Sequence, residues 1–149
     1  MKLVDANVLL YAVNRDAPHH EESRSWLDGA LSGEATVAFS WIALLAFVRL
    51  STKAGLFPSP LDVDGALARV HAWTTAAPAV IVEPTRDHAA VLQRLLGGVG
   101  VGGNLVNDAH LAALAIEHRC AIVSYDNDFA RFDGVTWERP FRSRSQSGS

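Results

Sequence analysis

Short strand-like runs alternate with longer segments of helical period along most of the chain, and that alternation limits it to a small group of folds. "KLVD", "TVAF", "AVIVEP" and "CAIVS" are aliphatic or β-branched runs of strand length, most of them closed by a polar residue or a proline. "ANVLLYAV" reads as a short helix, and "HHEESRSWLDGAL" puts Trp26, Leu27 and Leu31 at helical spacing before "SGEA" breaks it. Ser40 stands where it can cap "WIALLAFVRLSTKAG", a strongly apolar helix that stops near Gly55, Pro58 and Pro60. "LDVDGALARVHAWTTA" aligns Val63, Ala66, Val70 and Trp73 on one stripe. Thr85 can cap "RDHAAVLQRLL", the glycine-dense "GGVGVGG" reads as a loop, and "NLVNDAHLAALAIEH" is the longest clean helix. The pattern predicts an α/β sandwich around a mostly parallel sheet.

At 149 residues the chain fits one domain, expected over 1–141, with the tail "RSRSQSGS" (142–149) disordered because it has nothing to bury. An apolar fraction of 49% against 19% charged residues suits an ordinary globular core. The formal charge of -3 gives no global basic footprint, which argues against a protein that coats nucleic acid without specificity but not against local binding. Cys120 is the single cysteine and cannot close an internal disulfide, which fits a reducing, cytoplasmic setting. Asp5 and Asn7 interrupt "MKLVDANVLLYAV" before a signal-peptide core develops, and no later apolar run is long enough for a bilayer, so no membrane association is expected.

Against that background the acidic residues stand out. Asp108 shares its helical stripe with Leu111, Ala112, Ala115 and Ile116, so it points toward the core side. Asp5 directly follows the first strand, and Asp126 follows "AIVSY" with Asp128 two residues on. In a parallel sheet those positions lie beyond the carboxyl ends of strands, where ligands collect. Taken singly, each has a bland explanation: Asp5 as a helix cap, Asp126 and Asp128 in Asx turns, Asp108 as a first-turn acid facing the helix dipole. Taken together, three separate segments aim carboxylates at one edge, and carboxylates buried in apolar company need a cation or dense hydrogen bonding. No zinc-spaced Cys/His set, phosphate-binding loop or dinucleotide fingerprint is present. A hard cation, Mg2+ or alternatively Mn2+, suits an all-carboxylate site and can serve phosphodiester cleavage.

At these residues the sequence resembles the PIN-domain ribonucleases, and within them the VapC-type toxins. The matching segments are "LVDANVLLYA", "WIALLAFVRLST" and "NLVNDAHLAALAIEHRCAIVSYDNDFARFDGV", nearly the whole chain short of the tail. The resemblance implies a Rossmann-like α/β/α PIN fold, Mg2+-dependent endonucleolytic cleavage of RNA, a VapB-type antitoxin partner and a homodimer. Carried over by position, Asp5 and Asp108 are the main metal-binding and catalytic acids, Asp126 completes the catalytic cluster and Asp128 helps through water. Asn7 and Ser40 match supporting polar positions.

One departure bears on catalysis. Many family members carry a glutamate in the middle helix two or three residues before an arginine, where this chain has Ala46 ahead of Arg49, and no acidic residue lies between Glu34 and Asp62. This leaves open a second reading, a catalytically weak PIN scaffold that binds RNA or an antitoxin without efficient turnover. A third, phosphoryl transfer through Asp5 as nucleophile, lacks the second carboxylate two residues on. Arg49, one helical turn from Ala46, can reach the same edge and hold phosphate, or make a structural pair. No histidine is assigned to catalysis: His110 faces a different side of its helix from Asp108, His118 sits in the last turn, and His19 and His20 read as a solvated helix start. The four tryptophans read as core or dimer-face residues.

Overall fold

The computed structural model describes residues 1–56, 58–99 and 105–141. Five short strands are present: β1 (Lys2–Val4), β2 (Val37–Phe39), β3 (Ala79–Ile81), β4 (Ala121–Val123) and β5 (Trp137–Glu138). They line up in the order β3-β2-β1-β4-β5, and all four pairings are parallel. Parallel neighbours need crossovers, and the helices supply them. α1 (Ala6–Val13) and α2 (His20–Leu31) join β1 to β2, α3 (Trp41–Ser51) and α4 (Val63–Thr74) join β2 to β3, and α5 (His88–Val99) and α6 (Leu105–His118) lie between β3 and β4. A 3-10 turn, Asn127–Arg131, carries the chain from β4 toward β5.

Side chains alternate across the strands and build two cores. Leu3, Ala38 and Ile122 face the layer of α5 and α6, packing with Leu95, Ala112, Phe129 and Phe132. Val4, Val37, Phe39 and Val123 face the layer of α1 to α4, where Phe47 meets Trp73 edge-on at 4.8 Å between ring centroids. Full burial of an aliphatic or Phe side chain contributes about 1.5–3 kcal/mol, so both layers are held mainly by such contacts. Four of the buried residues of α6 are alanine (Ala109, Ala112, Ala113 and Ala115), so its inward side is built largely of small side chains. Among the described residues no helix is long and apolar enough to cross a membrane.

The expected alternation is present, with corrections at its edges. Gly97, Gly98 and Val99 belong to the end of α5 rather than to a loop, because neighbouring Leu95 and Leu96 pack on α6 and carry the helix through the glycines. The remainder of "GGVGVGG" and the tail 142–149 lie outside the described residues. Ser40 occupies the cap position of α3, but its side chain makes no capping hydrogen bond. β5 was not expected: two residues carry no periodic signal, and only pairing with β4, helped by a Lys2–Glu138 ion pair, defines it.

The order of strands matters for the site. The chain moves outward from β1 through β2 to β3, then returns to place β4 on the other side of β1. Connections from β1 and β4 therefore leave in opposite directions, opening a crevice at their carboxyl ends.

Candidate metal centre

Asp5 leaves β1 with extended backbone (φ -80°, ψ 158°) and caps α1, its Oδ1 accepting from the Ala6 N–H at 2.8 Å. Its Oδ2 accepts from Ser124 Oγ at 2.7 Å across the crevice. Ser124 follows β4, is wholly buried, and its hydroxyl also accepts from Asn7 Nδ2 at 3.1 Å and from the Asp126 N–H at 3.0 Å. That uses the one donor and both acceptor sites of a hydroxyl. Asn7 completes the tie by accepting the Tyr125 N–H at 3.2 Å on Oδ1. Trp137 of β5 donates its indole N–H to the Ser124 carbonyl at 2.9 Å, fixing the same residue from the far side.

Asp126 caps the 3-10 turn, its Oδ1 accepting from the Asp128 N–H at 2.9 Å. Capping thus accounts for local geometry at Asp5 and Asp126, yet it does not account for what faces them. Asp108, in the first turn of α6, brings a carboxylate oxygen into a group with Asp126 and Asp128 in which all three ligand atoms lie within 4.8 Å of one another. Asp108 also lines a cleft of about 160 Å³ together with Asp5, Ile42, Ala43, Ala46, Asn107 and Leu111. Asp108 therefore joins the acids after β4 to the acid after β1.

The crowding is electrostatically unfavourable. Burial, then the charges of Asp126, Asp5 and Asp128, raise the Asp108 carboxyl from 3.8 to about 7, with a hydrogen bond to Asp126 holding the proton. Burial also raises Asp5, opposed by its hydrogen bonds from Ser124 and Ala6 and assisted by Asp126. Carboxylates in this arrangement keep a proton unless a cation replaces it. The donor set is oxygen only, with no thiolate or imidazole, and suits a hard divalent ion.

The remaining expected residues divide. Asn7 is part of the network. Ser40 is 1% exposed with its hydroxyl unpartnered among the described residues, two positions before Ile42 in the cleft wall. Arg49 is exposed in the last turn of α3 and is not among the residues lining the cleft. Sequence reasoning missed Ser124, Trp137 and Asn107. It also missed a clasp behind the site, where His88 bridges His110 (Nε2 to Nδ1, 2.9 Å) and Glu117 (Nδ1 to Oε2, 2.5 Å), tying α5 to α6. His110 does face away from Asp108, as its spacing predicts, and its partner on α5 explains why it is there.

A model of the PIN domain matches residues 2–135. Ribonuclease VapC37 of Mycobacterium tuberculosis is 62% identical over 140 residues, spanning 94% of this chain and 97% of the relative. The chain belongs to the PIN-domain family, among its VapC ribonucleases. Ribonuclease VapC31 of the same species is 38% identical over 94% of this chain and 99% of its own length. The fold of this PIN domain recurs in VapC20 of M. tuberculosis, a sarcin-ricin loop cleaving toxin, with a TM-score of 0.68 at 18% identity, covering 94% of this chain and 100% of that one. It recurs also in VapBC2 of Rickettsia felis, solved with a DNA fragment from the promoter, with a TM-score of 0.67 at 19% identity over 93% and 97% of the two chains. In this PIN domain Ala46, three residues ahead of Arg49, lines the same cleft as Asp5 and Asp108.

Proposed function

We propose that this chain is a metal-dependent endoribonuclease and the toxin of a VapBC-type toxin–antitoxin pair. The observation that carries the reading is the convergence of Asp5, Asp108, Asp126 and Asp128 on the crevice between β1 and β4, with Asp108 raised to about 7 by burial and by its neighbours. Asp5, Asp108 and Asp126 are the residues we assign to catalysis, and Asp128 assists in holding Mg2+ or Mn2+. When bound, such an ion supplies positive charge against the phosphate and lowers the pKa of water. Asp108 gives up its proton on loading, Ser124 and Asn7 hold Asp5 in one orientation, and the apolar walls from Ile42 and Leu111 thin the water around the acids. Ser40 supports the same edge, and Arg49, one turn along α3 from Ala46, is the residue we assign to phosphate contact outside the cleft.

A VapB-type antitoxin is the partner we assign, covering the acidic edge with an Arg or Lys where the cation would sit, since a guanidinium pairs with two carboxylates at once. The active form is a homodimer and works in the cytoplasm. Ala46 favours a second reading, a scaffold of low turnover, because a carboxylate usual in the family is missing from the cleft. Incubating purified protein with RNA and Mg2+ or Mn2+, and mapping product ends, separates the two. Internal cuts at defined positions are expected, and their absence with intact RNA binding would favour the scaffold. Co-expression with the small gene beside its own should relieve growth arrest; a protein harmless alone would sink the toxin role and leave the nuclease role standing.

A further inference from the structure

Beside the acidic cluster lies a group of rings that the proposed chemistry does not use. Tyr125 stands between Ser124 and Asp126, and its N–H is held by Asn7. Its phenol is fixed at the far end as well, accepting from Ser23 Oγ at 3.0 Å and donating to Glu22 Oε1 at 2.8 Å. Both partners belong to the first turn of α2, so that turn lies at the carboxyl edge of the sheet next to the crevice. His19, at the cap position of α2, lies almost flat on the Tyr125 ring, with centroids 4.3 Å apart and planes 13° from parallel. Tyr11, one turn beyond Asn7 on α1, closes the group at 5.4 Å from Tyr125 and 5.9 Å from His19.

Helix capping does not account for His19. It makes no side-chain capping bond to α2, and the residue is exposed, although an Asn, Asp or Ser there would stabilise the helix start better. What the imidazole does is extend the fixed Tyr125 face outward into solvent. We propose that the His19–Tyr125–Tyr11 stack is a nucleobase platform, which receives a base of the RNA strand adjacent to the phosphate held at the aspartates. The inference rests on the ribonuclease reading above. Single-stranded RNA is gripped largely by stacking its bases on aromatic and histidine rings, and each such stack strengthens binding severalfold to about a hundredfold. A platform that binds by stacking also suits this edge, where four carboxylates offer the strand no attraction until a cation is bound. The contact path Asp5–Ser124–Asn7–Tyr125–His19 is continuous, so the rings and the acids share one edge of the sheet.

The test reads binding apart from turnover. On the Asp108→Asn background, anisotropy of a labelled single-stranded RNA with Mg2+ is measured for His19 intact, His19→Ala and His19→Phe. The platform predicts about tenfold weaker binding for His19→Ala, recovery for His19→Phe, and melting temperatures that do not separate the three. In the active chain the same pair of variants raises and restores KM with little change in kcat. Equal binding by the alanine and phenylalanine variants overturns the proposal even if the chain cuts RNA well. Weaker binding restored by phenylalanine supports it even if the chain cuts slowly. A loss that follows a lower melting temperature and is not rescued means a structural clasp, and unchanged RNA binding with weakened antitoxin capture means a protein-docking surface; either overturns it.

Discussion

Ser124 connects more of the candidate site than any one aspartate, since its single hydroxyl serves Asp5, Asn7 and the Asp126 backbone. Ser124→Ala therefore leaves a buried carboxylate oxygen and an amide short of partners, and we expect a loss of about 1–3 kcal/mol in urea unfolding together with much reduced cleavage. Unchanged activity would show that Asp5 needs no such support. Asp108 makes a different prediction, in the absence of metal. Its folded pKa of about 7 lies above the 3.8 of the free group, so the stability it contributes is complete below the lower value and is lost as pH rises toward the higher one. Asp108→Asn should then melt higher than the parent at pH 8, with the gap closing toward pH 4; a gap constant with pH would mean that Asp108 is not under strain. Asp5, Asp108 and Asp126 were visible in the sequence because each breaks an apolar pattern at the end of an element or on an inward stripe. Ser124 was not, because a serine after a strand is unremarkable until the fold brings it to Asp5, 119 positions away.

Helices and strands with strong periodicity were recovered from the chain, and α3 shows both the reach of that reading and its limit. Its apolar pattern located it, but not which side meets the acids; packing decides that, with Leu44 and Phe47 in one core, Ile42 against the other, and Ala43 and Ala46 left facing the cleft. β5 escaped because two residues have no period, and the end of α5 because glycines that weaken an isolated helix are tolerated where neighbours pack on α6. The facing of Ala46 makes the missing carboxylate testable. Ala46→Glu should tighten Mn2+ binding by roughly tenfold to a hundredfold in calorimetry, the range typical of changes around a metal site. A lower melting temperature with unchanged affinity would instead mean that the added carboxylate is buried without a partner.

The arrangement of the sheet joins these parts into one account. Because β1 is flanked by β2 on one side and β4 on the other, the two segments that carry Asp5 and Asp126 leave the sheet side by side, and α6 lays Asp108 across them. The strand pattern predicted a parallel sheet, and the positions of the acids predicted their shared edge; the strand order that makes the crevice rests on long-range pairing that no local pattern reveals. With a formal charge of -3 and four carboxylates gathered at this edge, the protein needs a bound cation to draw a phosphate among them. Cleavage of a defined RNA at graded Mn2+, compared between the parent and Asp108→Asn, puts this most directly to the test. The account predicts cutting by the parent that rises to saturation with Mn2+ and stops in EDTA, and none by the folded variant. Equal cutting by both proteins, or cutting by the parent in EDTA, would contradict it.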